Sequence, residues 1–298
     1  MKSAVHKLNF LYIIIFIISC FCVGQFVTFL LTTILFDLTT VQLIQILNSP
    51  ENANKDLIIS LSVFNSTFSF FVIPVIYLLV KDKVLLFNLG KNCNIRLIPA
   101  ILSVGIIFSI LPIINLLIEF NIGIKLPEVF SGLESYLKEM EEASKRMTKS
   151  LISSKEIKDL IIPVIVMAII PGILEEVFFR GIIQVQLQNI FKNYHVAIWC
   201  AAFLFSFFHF QFYGFIPRMV LGGVFGYIFV WTKNIWYSCF AHITNNIIAI
   251  LGILYLKENI FFFNKSILTT SLLIFLSLIF TGLIIFILKS KQKTSIYR

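Results

Sequence analysis

Glu175-Glu176-Val177-Phe178-Phe179-Arg180-Gly181 places three formal charges inside one of the most apolar parts of the chain. Ile161-Ile162-Pro163-Val164-Ile165-Val166-Met167-Ala168-Ile169-Ile170 precedes it, and Ile182 and Ile183 follow. An apolar run of this length reads as a membrane-crossing helix. Ionisable groups at that depth are expensive enough for function to be the default explanation. At about 100° per residue, Glu176 and Arg180 stand i,i+4, about 40° apart, whereas Glu175 and Arg180 are about 140° apart. Glu176 is therefore expected to pair with Arg180, acid before base. Glu175 points elsewhere without a local cation, which suits a general base held in apolar surroundings.

Composition extends this reading outward. The chain has 298 residues, 58% hydrophobic and 13% charged, with 33 Phe, and a mean hydropathy of +0.94. A soluble domain would carry roughly a quarter charged residues. The expected fold class is all-α, a polytopic transmembrane helical bundle of about eight spans. The net charge of +9 does not point to nucleic acid, because the basic residues sit at the ends of apolar runs, as the positive-inside rule requires. Cys20, Cys22, Cys93, Cys200 and Cys239 show no CxxC pair or metal spacing and read as packing residues.

In chain order, the apolar run 8–36 follows Lys2 and Lys7 and reads as an anchor with a cytoplasmic N-terminus. A mixed segment, 37–56, carries Asp37, Glu51, Lys55 and Asp56. The next spans are 57–80, with Pro74, and 97–120, with Pro99 and Pro112; Lys81, Lys83, Lys91 and Arg96 mark a cytoplasmic loop between them. Residues 121–159 form the long polar stretch, with seven basic and seven acidic residues. Its Glu134, Lys138, Glu141, Glu142, Lys145, Arg146 and Lys149 suggest a helix laced by i,i+3 and i,i+4 pairs, lying at the membrane interface. The alternative for this segment is a substrate gate. Later spans are expected from about 160 through the Glu-Glu stretch, then over 195–213, 216–232, 235–256 and 267–288. The basic tail of Lys289, Lys291, Lys293 and Arg298 returns the C-terminus to the cytoplasm. Residues 1–298 read as one membrane domain, with 160–255 as its catalytic core.

Polar side chains recur in that core. His6 lies in the N-terminal flank, and His195 opens a span where an interfacial histidine needs no special role. His209 closes Phe205-Ser206-Phe207-Phe208-His209, and His242 opens His242-Ile243-Thr244-Asn245-Asn246. Phe205 with His209, and His242 with Asn246, share helix faces at i,i+4. A lone intramembrane His or Asn often serves as interhelical glue; three helices turning such groups inward ask for more. One depth mismatch stands out. His209 lies about 21 Å along its helix from His195, but His242 only about 10 Å beyond Ile235. Either the helices are offset, or a short fifth helix ends inside the protein near Tyr213-Gly214.

Glu175-Glu176-x-x-x-Arg180, Phe205-x-x-x-His209 and His242-x-x-x-Asn246, in this order, resemble the three motifs of the CPBP intramembrane protease family. That family includes type II CAAX prenyl endopeptidases and the bacteriocin-processing or immunity (Abi) proteins. The extended string through Gly181, and Asn234 to Asn246, strengthen the likeness, which covers about residues 160–255. The resemblance implies hydrolysis of a peptide bond in a membrane-associated peptide or protein. By motif position, Glu175 would activate a water assisted by His209. His242 and Asn246 would stabilise the oxyanion or hold the water, and Arg180 would order the motif through Glu176.

The family is often described as metalloproteases, and the resemblance leaves zinc open, with Glu175, His209 and His242 as its ligands. Against this set stand the lack of a His-Glu-x-x-His and of an obvious outer carboxylate for either histidine. The rival readings are a non-catalytic immunity or scaffold protein and a proton-coupled transporter; the absence of an internal repeat weighs against the transporter. Partners are then the bilayer and a membrane-associated substrate. The Ile/Lys/Asn/Phe-rich composition suggests a bacterial cytoplasmic membrane.

Overall fold

The apolar runs become helices whose ends fall where charge or turn residues interrupt them. A computed structural model describes residues 2–50, 53–81, 94–124, 126–152, 156–255 and 267–296. Glu51, Lys83, Lys91, Cys93 and Arg298 lie outside the described residues. Among the described residues, ten helices run in order: α1 (Lys2–Leu35), α2 (Thr40–Asn48), α3 (Lys55–Val80), α4 (Leu97–Ile122), α5 (Ser131–Leu151), α6 (Lys158–Phe191), α7 (Tyr194–Phe207), α8 (Phe215–Thr232), α9 (Ile235–Tyr255) and α10 (Ile267–Ile296). Seven crossings, on α1, α3, α4, α6, α8, α9 and α10, are long and apolar enough to span a bilayer. The protein is an integral membrane helical bundle.

The remaining apolar helix, α7, has 14 residues, about 21 Å of rise, which is short of the roughly 30 Å hydrocarbon core. It ends at Phe207, and Phe210 adopts a left-handed φ of 52° that turns the chain toward α8. The expected fifth span over 195–213 is thus a short helix and a turn, and His209 sits just beyond its end. The His209 ring then folds back one helical turn, with Nδ1 2.7 Å from the Phe205 carbonyl. This brings the two site histidines to one depth.

Prolines shape the long helices. Pro74 follows a wide π-type turn over Phe68–Val72, and Pro171 follows another over Ile165–Ile169. A proline lacks the amide proton for the carbonyl four residues back and crowds it, and a wider turn relieves both effects. A third wide turn, Val177–Gln184, has no proline and lies directly after the two glutamates.

Two apolar clusters flank the seam where the charges lie. Phe16, Phe70, Phe178, Phe179 and Phe205 belong to one, built from α1, α3, α6 and α7. Ile107, Ile110, Leu221, Phe225 and Ala241 belong to the other, built from α4, α8, α9 and α10. Close approach at the seam depends on small residues. A Cβ on Gly172 would come 2.7 Å from the Ile243 side chain and 3.2 Å from its backbone nitrogen. On α8, one at Gly222 would meet Ala202 and Phe205, and one at Gly226 would stand 2.7 Å from Gln184 Oε1. This Gly222-x-x-x-Gly226 face lets α8 lie against α6 and α7.

Candidate active site

Burial and hydrogen bonding divide the work of the charged stretch. Glu176 and Arg180 are 0% and 1% exposed, with Arg180 Nη1 2.8 Å from Glu176 Oε1. The pair joins α6 to itself as its spacing requires. Arg180 Nη2 also donates to the Gly222 carbonyl at 2.9 Å, which is reachable because Gly222 carries no side chain. The guanidinium lies 4.7 Å from the Phe205 ring centroid and 5.4 Å from that of Phe225. Aromatic faces on both sides attract a desolvated cation. Gln184, one helical turn on, repeats the tie by donating to the Gly226 carbonyl at 3.2 Å.

Glu176 has a second partner, which corrects one expectation from the sequence. Its Oε1 lies 2.8 Å from His242 Nδ1, so His242 does have an outer carboxylate. Helical spacing assigned Glu176 wholly to Arg180; it could not show that α9 crosses α6 beside Gly172 and brings His242 to the same oxygen. Asn234 Oδ1 accepts from the Trp236 amide at 3.0 Å and caps the start of α9.

Glu175 faces away from Arg180, as its angle on the helix requires. Its Oε2 is buried without a hydrogen-bond partner and lies 3.8 Å from His209 Nε2 and 3.9 Å from His242 Nε2. The tautomers follow from the outer bonds. A carbonyl only accepts, so His209 Nδ1 carries the proton given to Phe205. His242 Nδ1 donates to the Glu176 carboxylate. In the neutral rings, both Nε2 atoms are therefore acceptors converging with Glu175 Oε2 on one spot. A water molecule, with two protons to give, can donate to two of these acceptors at a time. Asn246 stands one turn beyond His242 on the cavity wall, and its Oδ1 accepts from Asn245 Nδ2 at 3.3 Å. His195 is outside this group and bonds Tyr227 at 2.7 Å.

The two separations of 3.8 and 3.9 Å are wider than the roughly 3.3–3.6 Å between ligands in a tetrahedron of 2.0–2.2 Å zinc bonds. Among the described residues, no three His, Cys, Asp and Glu side chains come together as a metal-holding group. As placed, Glu175, His209 and His242 do not fit a common zinc ion, and no step below is routed through one. Cys20, Cys22, Cys200 and Cys239 are free thiols.

The site opens on a cavity of about 990 Å³. Glu175, His209, His242 and Asn246 line it, together with Leu111, Ile114 and Ile118 of α4. The polar helix α5 turns Glu134, Lys138, Glu141, Glu142 and Lys145 into the same cavity. The expected i,i+4 and i,i+3 pairs form there, Lys138–Glu134 at 2.7 Å and Lys145–Glu142 at 2.9 Å.

Three further residues escaped the sequence reading. Asn121 on α4 donates to the Phe212 carbonyl and accepts from the Ile216 amide, both at 2.8 Å, and so fastens the turn that carries His209. Gln211 donates to Ser144 of α5 and accepts from Arg218. Arg218 could have been found, since it is the one charge in Phe215–Thr232 and a charge inside an apolar span asks for a reason. Asn121 and Gln211 carry no comparable signal, because their partners are backbone and side-chain groups remote in sequence.

Fold and site together define a membrane-embedded protein whose buried acid, two histidines and an asparagine face one internal cavity. Residues 157–248 match the family model described as Type II CAAX prenyl endopeptidase Rce1-like, and this core is similar to that family of proteases. No curated protein and no solved structure matches the chain significantly.

Proposed function

We propose that the protein is an intramembrane endopeptidase that hydrolyses a peptide bond of a membrane-associated substrate with a water activated by Glu175. The observation that carries this reading is the convergence of Glu175 Oε2, His209 Nε2 and His242 Nε2 within 3.8–3.9 Å on the cavity wall.

In this reading, water donates one proton to Glu175 Oε2 and the other toward His209 Nε2, which leaves an oxygen lone pair for the substrate carbonyl. Attack forms the C–O bond as Glu175 takes the first proton. The developing oxyanion meets the amide protons of Asn246. His242, its ring fixed by the Nδ1 bond to Glu176, lies beside Glu175 and shapes the place of the same water. The C–N bond then breaks as Glu175 returns its proton to the departing amine. Glu176 and Arg180 act through His242 and the α8 backbone; they are positioning residues. The 160–255 segment is thus the catalytic core. The direct test is cleavage of membrane-associated peptides by purified protein alongside His209→Ala and Glu175→Ala; variants that cleave like the parent would refute the assignment.

A further inference from the structure

Arg218 is the cation in the cavity that the proposed chemistry does not use. It stands in the first turn of α8, and its Nη2 donates to Gln211, which is held in turn by Ser144 of α5. Its Nη1 is buried with no partner. The other lining lysines, Lys138 and Lys145, are taken by Glu134 and Glu142. Among the described lining residues, Arg218 is therefore the one Lys or Arg outside an ion pair. It lines the same cavity as Glu175 and His209.

A guanidinium that keeps an unused buried N–H at membrane depth is built for an anion brought by something else. Its planar fork matches a carboxylate. A phosphate is the poorer match: Glu141, with a buried unpartnered Oε2, lines the cavity together with Glu175. A second negative charge on the ligand would meet two acids. Gln211, two residues beyond His209, holds the fork in place and ties it to α5, so binding costs little reordering.

We propose that Arg218 binds a carboxylate of the substrate peptide, so that the enzyme prefers peptides carrying one near the scissile bond. This inference rests on the peptidase reading. The carboxylate can be the chain terminus or an acidic side chain, and the test separates the two. Short apolar peptides in detergent micelles are made as C-terminal acid and amide pairs, and as Glu and Gln pairs, with cleavage followed by mass spectrometry. The parent is expected to favour the acid or the Glu member at least about tenfold. Arg218→Gln should lose that preference yet still cleave the neutral peptides, and Arg218→Lys should keep part of it. Should Arg218→Gln fail to fold, the acid–amide and Glu–Gln ratios of the parent and of Arg218→Lys decide. Equal cleavage within both pairs by the parent, or a preference unchanged in Arg218→Gln or Arg218→Lys, would overturn the inference. Cleavage of no peptide by the parent would overturn the peptidase reading, and this inference with it.

Discussion

Glu176 Oε1 lies 2.8 Å from His242 Nδ1 across 66 residues of chain. Because the same oxygen also meets Arg180 at 2.8 Å, one buried carboxylate orients the His242 ring and neutralises the cation that ties α6 to α8. Changing Glu176 to Gln keeps the shape and removes the charge. The ring would lose its fixed tautomer, and cleavage is expected to fall about 10–100-fold. Arg180 would be left buried and unpaired, at a cost of about 3–5 kcal/mol. Cleavage rates and thermal unfolding in detergent check both effects; parental values for both would detach Glu176 from the site.

Asn246 is proposed to act only on charge that develops during the reaction. Asn246→Ala should lower kcat by about 10²–10³ with little change in KM. Steady-state kinetics on one peptide substrate measures the split. A rise in KM at constant kcat would make Asn246 a substrate-binding residue instead.

The Gly222 and Gly226 face sets the distance between α8 and the Arg180 and Gln184 side chains. Gly226→Val would force branched carbons into Gln184 Oε1 and Ile198, which stand 2.7 and 2.9 Å from the nearest possible Cβ. Overpacking of this kind costs about 1–3 kcal/mol. A lowered midpoint of thermal unfolding is expected, and an unchanged one would mean that α8 has room to shift.

Much of this was legible in the sequence because membrane helices announce themselves by length and hydropathy, and because i,i+4 spacing is local. The crossings at 55–80, 97–122 and 235–255 fall within two residues of their expected bounds. The Glu176–Arg180 pair follows from spacing alone. What stayed hidden depends on helix crossings. No local pattern shows that Gly172 lets α9 approach closely enough for His242 to reach Glu176. Nor does one show that α5, a helix of mixed charge with the pattern of a solvated surface, would present Glu134 through Lys145 to the cavity. The short α7 was foreshadowed by the depth mismatch of His209, which a full crossing could not satisfy.

Asn121 fastens the turn between α7 and α8 through Phe212 and Ile216. Asn121→Ala leaves a buried carbonyl and amide without partners, at about 1–3 kcal/mol each. Faster hydrogen exchange across residues 208–218 and slower cleavage should appear together. Exchange unchanged by the substitution would show that the turn is held by other contacts.

Glu175 carries the central claim, and Glu175→Gln tests it most directly because the amide fills the same space yet cannot take a proton from water. The decisive measurement is the rate of peptide cleavage by Glu175→Gln relative to the parent, with thermal unfolding confirming that both are folded. A loss of about 10²–10⁴-fold is predicted, the contribution typical of a positioned general base. Cleavage at the parental rate by the folded variant would contradict the account.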